Sequence, residues 1–303
     1  MSIRVLLLAL ATTLFWSSAF AGIRVGLVGY SPYHLTLLRF IVASLVFACY
    51  AVITHMRLPR LKDIPALFGL GLVGITLYHL ALNIGQRSVS AGAASLIIAV
   101  APVITAVLSR IFLQERFSPW TIVGLIIAFS GVTFMIVSGG NLAFSHGAYF
   151  ILFSSLCTSV YFVFQKPLLK QYGAIRFTAY ITWLGTLPLL AFLPGFYTAM
   201  SQAPLSSTLA GVYIGVFPAA IAYATWSMAL AEVPAGRLSS FLYLNPPLAI
   251  LFGFIWAREL PLATDIIGGF IALAGVVAAN TLGKPQVKPT SSSSTLVESQ
   301  TKY

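Results

Sequence analysis

The sequence predicts an all-α integral membrane protein with ten transmembrane helices, arranged as two inverted five-helix repeats. Three observations carry that prediction: composition, spacing of the apolar runs, and an internal match between the two halves. Of 303 residues, 59% are hydrophobic and only 8% charged. Soluble domains are roughly 25% charged, so this chain lacks the polar surface a water-soluble fold of its length needs. Its 17 Lys and Arg against 6 Asp and Glu give a net charge of +11. The charges lie between apolar runs and form no basic face, which argues against nucleic-acid binding.

A membrane-spanning helix needs about 20 apolar residues. Polar breaks divide the chain into such runs at 4–22, 33–54, 64–85, 91–113, 119–138, 146–166, 176–195, 208–229, 235–256 and 263–282. Nothing alternates with the two-residue period of a transmembrane barrel strand. The first run, with its basic residue and Ala-Phe-Ala ending, looks like a cleavable signal peptide. It is long enough to span, and the next run follows closely, so we read it as the first transmembrane helix. Residues 284–303 are polar and Ser-rich, and read as a disordered cytoplasmic tail.

Orientation follows from the basic residues. Arg4, Arg57, Arg60, Lys62, Arg110, Arg116, Lys166, Lys170, Arg176, Arg237, Lys284, Lys288 and Lys302 fall on one side, against Arg24, Arg87 and Arg258 on the other. The richer side is cytoplasmic by the positive-inside rule, so both termini are expected there.

The halves match at an offset of 144 residues, the separation of Pro102 and Pro246. Residues 89–132 and 233–276 share 13 identities in 44 positions, among them Ala91/Ala235, Gly92/Gly236, Ser95/Ser239, Glu115/Glu259, Gly124/Gly268 and Gly131/Gly275. The expected repeats are 1–140 and 141–283. An odd number of helices per copy inverts the second copy in the membrane. Inverted repeats typify secondary transporters, with the substrate site near the midplane between the halves. Pro102 and the pair Pro246/Pro247 fall near the middles of equivalent helices. A proline there removes a backbone bond and kinks the helix, which makes these positions candidate hinges. A kink serving packing alone is the alternative reading.

Polar groups at membrane depth tend to face a cavity or one another. Thr76, His79, Asn83 and Gln86 share one face of the third helix, with Tyr78 and Leu82 beside it. That stripe either lines a cavity or joins helices. The ninth helix offers Ser239, Tyr243 and Asn245, and its first-half counterpart offers Ser95 and Ala99. Ser154, Thr158, Tyr161 and Gln165 share a face of the sixth helix, Trp16 stands in the first, and Tyr223, Trp226 and Ser227 in the eighth. Each of these aromatics stands between a cavity role and a place in the interfacial belt or core. The candidate substrate-binding set is therefore Trp16, Tyr78, His79, Leu82, Asn83, Ser95, Tyr161, Trp226, Ser239, Tyr243 and Asn245.

Asp63, Glu115, Glu232, Glu259 and Asp265 fall near helix ends or in loops, which leaves His79 and, less readily, His34 as proton carriers at depth. Glu115 and Glu259 each adjoin an arginine, Arg116 and Arg258, and read as interfacial ion pairs. Arg39 lies about two turns into the second helix and is expected to snorkel to the interface; binding a carboxylate is the other option. Cys49 and Cys157 read as small core-facing residues. Gly124, Gly131, Gly268 and Gly275 mark helices that approach one another closely. No P-loop, CxxC or HExxH is present, so no metal, cofactor or enzymatic chemistry is expected.

The stretches LFWSSAFAGIR (14–24), LLRFIVA (37–43), APVITAVLSRIFLQER, its copy NPPLAILFGFIWAREL, and the G-x6-G of the fifth and tenth helices resemble the drug/metabolite transporter superfamily, in its ten-helix bacterial EamA branch. The resemblance covers about residues 1–283. Within that branch the chain is most similar in general character to the YddG-type exporters of aromatic and other neutral amino acids. The resemblance implies a multi-pass protein of the bacterial inner membrane that exports amino acids by alternating access. The partners expected are a small-molecule substrate and the lipid bilayer; the oligomeric state stays open, and a monomer is compatible. An exchanger of phosphorylated sugars or nucleotide-sugars is the alternative. Those anions need basic groups at depth, where only Arg39 and His79 stand.

Overall fold

The computed structural model describes residues 1–138, 146–257 and 263–282, and every regular element among them is helical. Eight of the helices are long and apolar enough to cross a membrane: α1 (Ile3–Gly29), α2 (Pro32–Ile53), α3 (Leu61–Gly85), α4 (Ala91–Phe112), α6 (His146–Phe164), α7 (Ala174–Phe192), α8 (Leu205–Glu232) and α9 (Ala235–Trp256). Two more, α5 (Pro119–Ser138) and α10 (Ala263–Thr281), pack against each other. Short helices, Lys166–Tyr172 and Phe196–Gln202, flank α7.

Local chemistry sets the boundaries. Ser31 accepts a hydrogen bond from the His34 amide at 3.1 Å, and Pro32 opens α2, where its missing N–H costs nothing. Ser2 and Ser90 cap α1 and α4 in the same way. Gly173 and Gly195 take φ of 76° and 77°, left-handed values that bulkier residues avoid, and so turn the chain on either side of α7. α1 runs beyond the apolar stretch that predicts it, so Arg24 lies inside the helix and donates to the Gln86 carbonyl at 2.8 Å.

The packing crosses between the first five and last five helices. α1 lies on α8 and α9, α3 on α6 and α7, α2 on α7 and α8, and α4 on α6 and α9. α3 and α8 each contain a π-helical stretch, Leu72–Leu77 and Gly215–Ile221. α4 leaves α geometry at Ala99 and resumes at Ala101. α9 runs as a 3-10 helix over Ser240–Leu244 and resumes at Asn245. Pro102 and Pro246/Pro247 therefore stand in the first turn of a new segment, where a helix tolerates proline, rather than kinking a continuous one.

Candidate functional site

A narrow cavity of about 30 Å³ lies where α1, α2, α3, α4, α6, α8 and α9 converge. Its wall sits in the C-terminal parts of α1 and α3 and the N-terminal part of α2. Trp16, Ala19, Phe20 and Ile23 come from α1; Tyr78, His79 and Leu82 from α3. Ile98 from α4, Thr158 and Phe162 from α6, Tyr223 from α8, Leu242 and Asn245 from α9 and Arg39 from α2 complete the lining.

The two π stretches hold the aromatics in place. A π turn does not satisfy its carbonyls as a regular helix does. The Gly74 carbonyl accepts from the Tyr223 hydroxyl at 3.2 Å, and the Pro218 carbonyl accepts from Trp16 Nε1 at 3.1 Å. Gly74 and Pro218 are 144 residues apart, the offset of the sequence match. The Trp16 and Tyr223 rings then meet edge-on, with centroids 5.4 Å apart.

The same network fixes the form of His79. Tyr223 has one hydroxyl proton and the Gly74 carbonyl can only accept, so the arrangement in which both contacts are hydrogen bonds sends that proton to Gly74. The 2.9 Å contact between His79 Nε2 and the Tyr223 oxygen therefore has Nε2–H as donor. The neutral ring keeps its lone pair on Nδ1, a buried atom with no protein partner. Phe40 and Tyr78 flank the imidazole at 4.7 and 4.5 Å. Asn245 accepts from Ser17 Oγ at 2.9 Å, which ties the start of the α9 segment that follows the 3-10 stretch to α1.

Five of the eleven sequence candidates reach this wall: Trp16, Tyr78, His79, Leu82 and Asn245. The other six lie elsewhere. Trp226 stands one layer behind, its ring 5.0 Å from Trp16 and 4.6 Å from Phe162. Tyr161 and Tyr243 are fully buried in the core. Ser95 and Ser239 bond back to the carbonyls of Gly92 and Gly236 in their own helices. Asn83 donates to Thr36 at 2.8 Å. Of the polar stripe on α3, only His79 faces the cavity; Thr76 and Gln86 donate to the carbonyls of Gly185 and Phe20. An inward face of a central helix meets partner helices as well as a cavity, and periodicity does not separate the two.

Other expectations are corrected. Arg39 does not snorkel: its side chain points into the bundle and is 2% exposed, because α2 turns that face toward α3 and α8. His34 is not at depth but near the start of α2, at the surface beside the Pro194 carbonyl. Cys49 faces outward, while Cys157 is buried. Glu115 pairs with Lys166 at 2.6 Å rather than with the adjacent Arg116. It also accepts from the amides of Ala235 and Gly236 at the start of α9, at 2.9 and 3.3 Å. Arg258, Glu259 and the tail from 284 lie outside the described residues.

The EamA-like transporter family model matches twice, over residues 3–137 and 145–281. The chain is 42% identical to the uncharacterized transporter YdfC of Bacillus subtilis, over 86% of this chain and 86% of that one. It is 38% identical to a probable terminal-alkyne amino-acid exporter of Streptantibioticus cattleyicolor, over 90% of this chain and 93% of that one. One solved crystal structure superposes with a TM-score of 0.72 at 20% identity, covering 92% of this chain and 98% of the other, a likeness of fold alone. A buried cavity ringed by helices that are broken at matching places is thus found in a chain that belongs, by these matches, to the EamA-like family of membrane transporters.

Proposed function

We propose that the protein is a secondary transporter of small neutral or zwitterionic solutes that exports amino acids, aromatic and other apolar ones, across the inner membrane by alternating access. The carrying observation is the cavity wall. It sets aromatic and aliphatic surface from Trp16, Phe20, Leu82 and Phe162 against a few polar groups from Arg39, His79 and Asn245. Such a wall suits a zwitterion with an apolar side chain. The Streptantibioticus relative, a probable terminal-alkyne amino-acid exporter, is named for a substrate of the same class. The matched π stretches, the matched breaks in α4 and α9, and the reciprocal packing of α1 on α8 and α6 on α3 support two inverted copies as the moving parts.

The test is flux in proteoliposomes with labelled L-phenylalanine, L-leucine and L-threonine, with and without a pH gradient. Saturable flux of the apolar amino acids is expected. Absence of flux for all three, from protein that is folded, defeats the reading. Orientation is checked separately with a cysteine at Ser2: labelling by an impermeant maleimide is expected only from the cytoplasmic side.

The burial of Arg39 favours one second reading, an exchanger of phosphorylated sugars or nucleotide-sugars. A single guanidinium matches a monoanionic carboxylate better than a phosphate dianion, and the apolar wall offers little to a sugar. Inhibition of amino-acid flux by glucose 6-phosphate would reverse that ranking.

A further inference from the structure

Arg39 brings a positive charge into the bundle that the described protein does not match. Its side chain is 2% exposed and lines the cavity, and its Nε and Nη1 are buried without a hydrogen-bond partner. The described ion pairs, Arg4–Glu232 and Lys166–Glu115, lie at helix ends, and among the described residues no Asp or Glu stands in the cavity wall. The guanidinium carbon is 5.7 Å from the Phe40 ring, a weak substitute for a carboxylate. A buried charge without a partner is strongly unfavourable, and a guanidinium presents a rigid fork suited to two parallel bonds to one carboxylate.

We propose that Arg39 is a substrate-binding residue that receives the carboxylate of the transported solute, so that the cavity selects carboxylate-bearing solutes over the matching amides and amines. This rests on the reading of the cavity as the transport site. Two features extend it. The lone pair at His79 Nδ1, left open by the Tyr223–Gly74 chain, accepts an N–H of the solute's ammonium group. The aromatic wall then takes the side chain. A zwitterion bound this way neutralises the buried cation, and each end of the solute meets a group of matching character.

The experiment uses the full chain in proteoliposomes. Labelled L-phenylalanine flux is challenged with unlabelled L-phenylalanine, L-phenylalaninamide and 2-phenylethylamine. In the wild type the acid competes about tenfold or more better than the amide or the amine, because a site built for the carboxylate is left unsatisfied by the analogues. In Arg39→Gln, flux falls by about tenfold or more, and the preference for acid over amide collapses. Arg39→Lys keeps the charge but not the fork and stands between the two. An Arg39→Gln protein that retains the wild-type preference overturns the assignment. If that variant does not fold, the wild-type competition series decides: equal competition by acid and amide overturns it as well. If the wild type moves no amino acid, the export reading fails by itself. Arg39 is then judged on thermal stabilisation of the purified wild type: stabilisation by benzoate but not benzamide keeps the carboxylate site, and no difference sinks it.

Discussion

The pair α5–α10 and the pair α4–α9 are built in opposite ways. α5 and α10 run without a break, and their backbones touch. A Cβ added at Gly131 would stand 2.6 Å from the Ala272 amide nitrogen and 2.7 Å from the Gly268 carbonyl oxygen. α4 and α9 are each interrupted, one at Ala99 and the other over Ser240–Leu244. Small residues let membrane helices lock by close van der Waals contact, and packed interfaces of that kind do not deform gradually. Where the regular i→i−4 ladder gives way to a turn or to 3-10 bonding, a helix bends more readily. The cavity touches the broken helices, through Ile98, Leu242 and Asn245, and none of the described side chains of α5 or α10. Close packing and the cavity thus belong to different helix pairs.

The largest expected effect attacks the rigid pair. Gly131→Leu drives a side chain into the backbone of α10. Overpacking costs about 1–3 kcal/mol even where side chains can yield, and here the obstacle is main chain. We expect loss of monodisperse protein in detergent, read by gel filtration. A variant that elutes and melts like the wild type would mean that this interface is loose, and the contrast between the pairs would fail.

The next effect attacks the broken pair. Pro102→Ala leaves the protein folded and slows initial flux. Pro246→Ala does less alone, because Pro247 still lacks an N–H in the same turn. The double change at 246 and 247 matches or exceeds the Pro102 effect. Flux is normalised to folded protein. Wild-type rates from both Pro102→Ala and the double variant would leave the prolines as packing features with no part in the motion.

How much of this was legible in the sequence depends on the range of the cause. The apolar runs located the helices, since span length is a property of each segment. The close α5–α10 approach was readable from Gly124, Gly131, Gly268 and Gly275, because nothing larger fits. Arg39 was misread: its distance along α2 is visible in the sequence, but its direction around the helix axis is set by α3 and α8. The π stretch at Leu72–Leu77 carries no proline and no polar marker; it accompanies a bond from Tyr223, far along the chain. The partner of Glu115 was missed likewise, because Lys166 is 51 residues away while Arg116 is adjacent.

The smallest effect tests the join between α4 and α9 themselves. Glu115 follows α4 and binds three donors: Lys166 Nζ, and the amides of Ala235 and Gly236 at the start of α9. It thereby holds the ends of α4, α6 and α9 together, at the end of the bundle away from the cavity wall. A negative charge at a helix N-terminus and a partly exposed ion pair are each worth about 0.3–1 kcal/mol. Glu115→Gln keeps the shape and an acceptor oxygen, but removes the charge from both interactions. If α4 and α9 part at this end during transport, the variant shifts the population toward the parted state by a few-fold, since about 1.4 kcal/mol corresponds to tenfold. The measure is labelling of a cysteine at Ser239, which is fully buried in the clasped structure, in a background lacking Cys49 and Cys157. Faster labelling by an impermeant maleimide in inside-out vesicles is expected for Glu115→Gln, and Lys166→Met should reproduce part of it. Unchanged labelling in both variants would show that the clasp is static, and would place the moving boundary between α4 and α9 nearer their breaks.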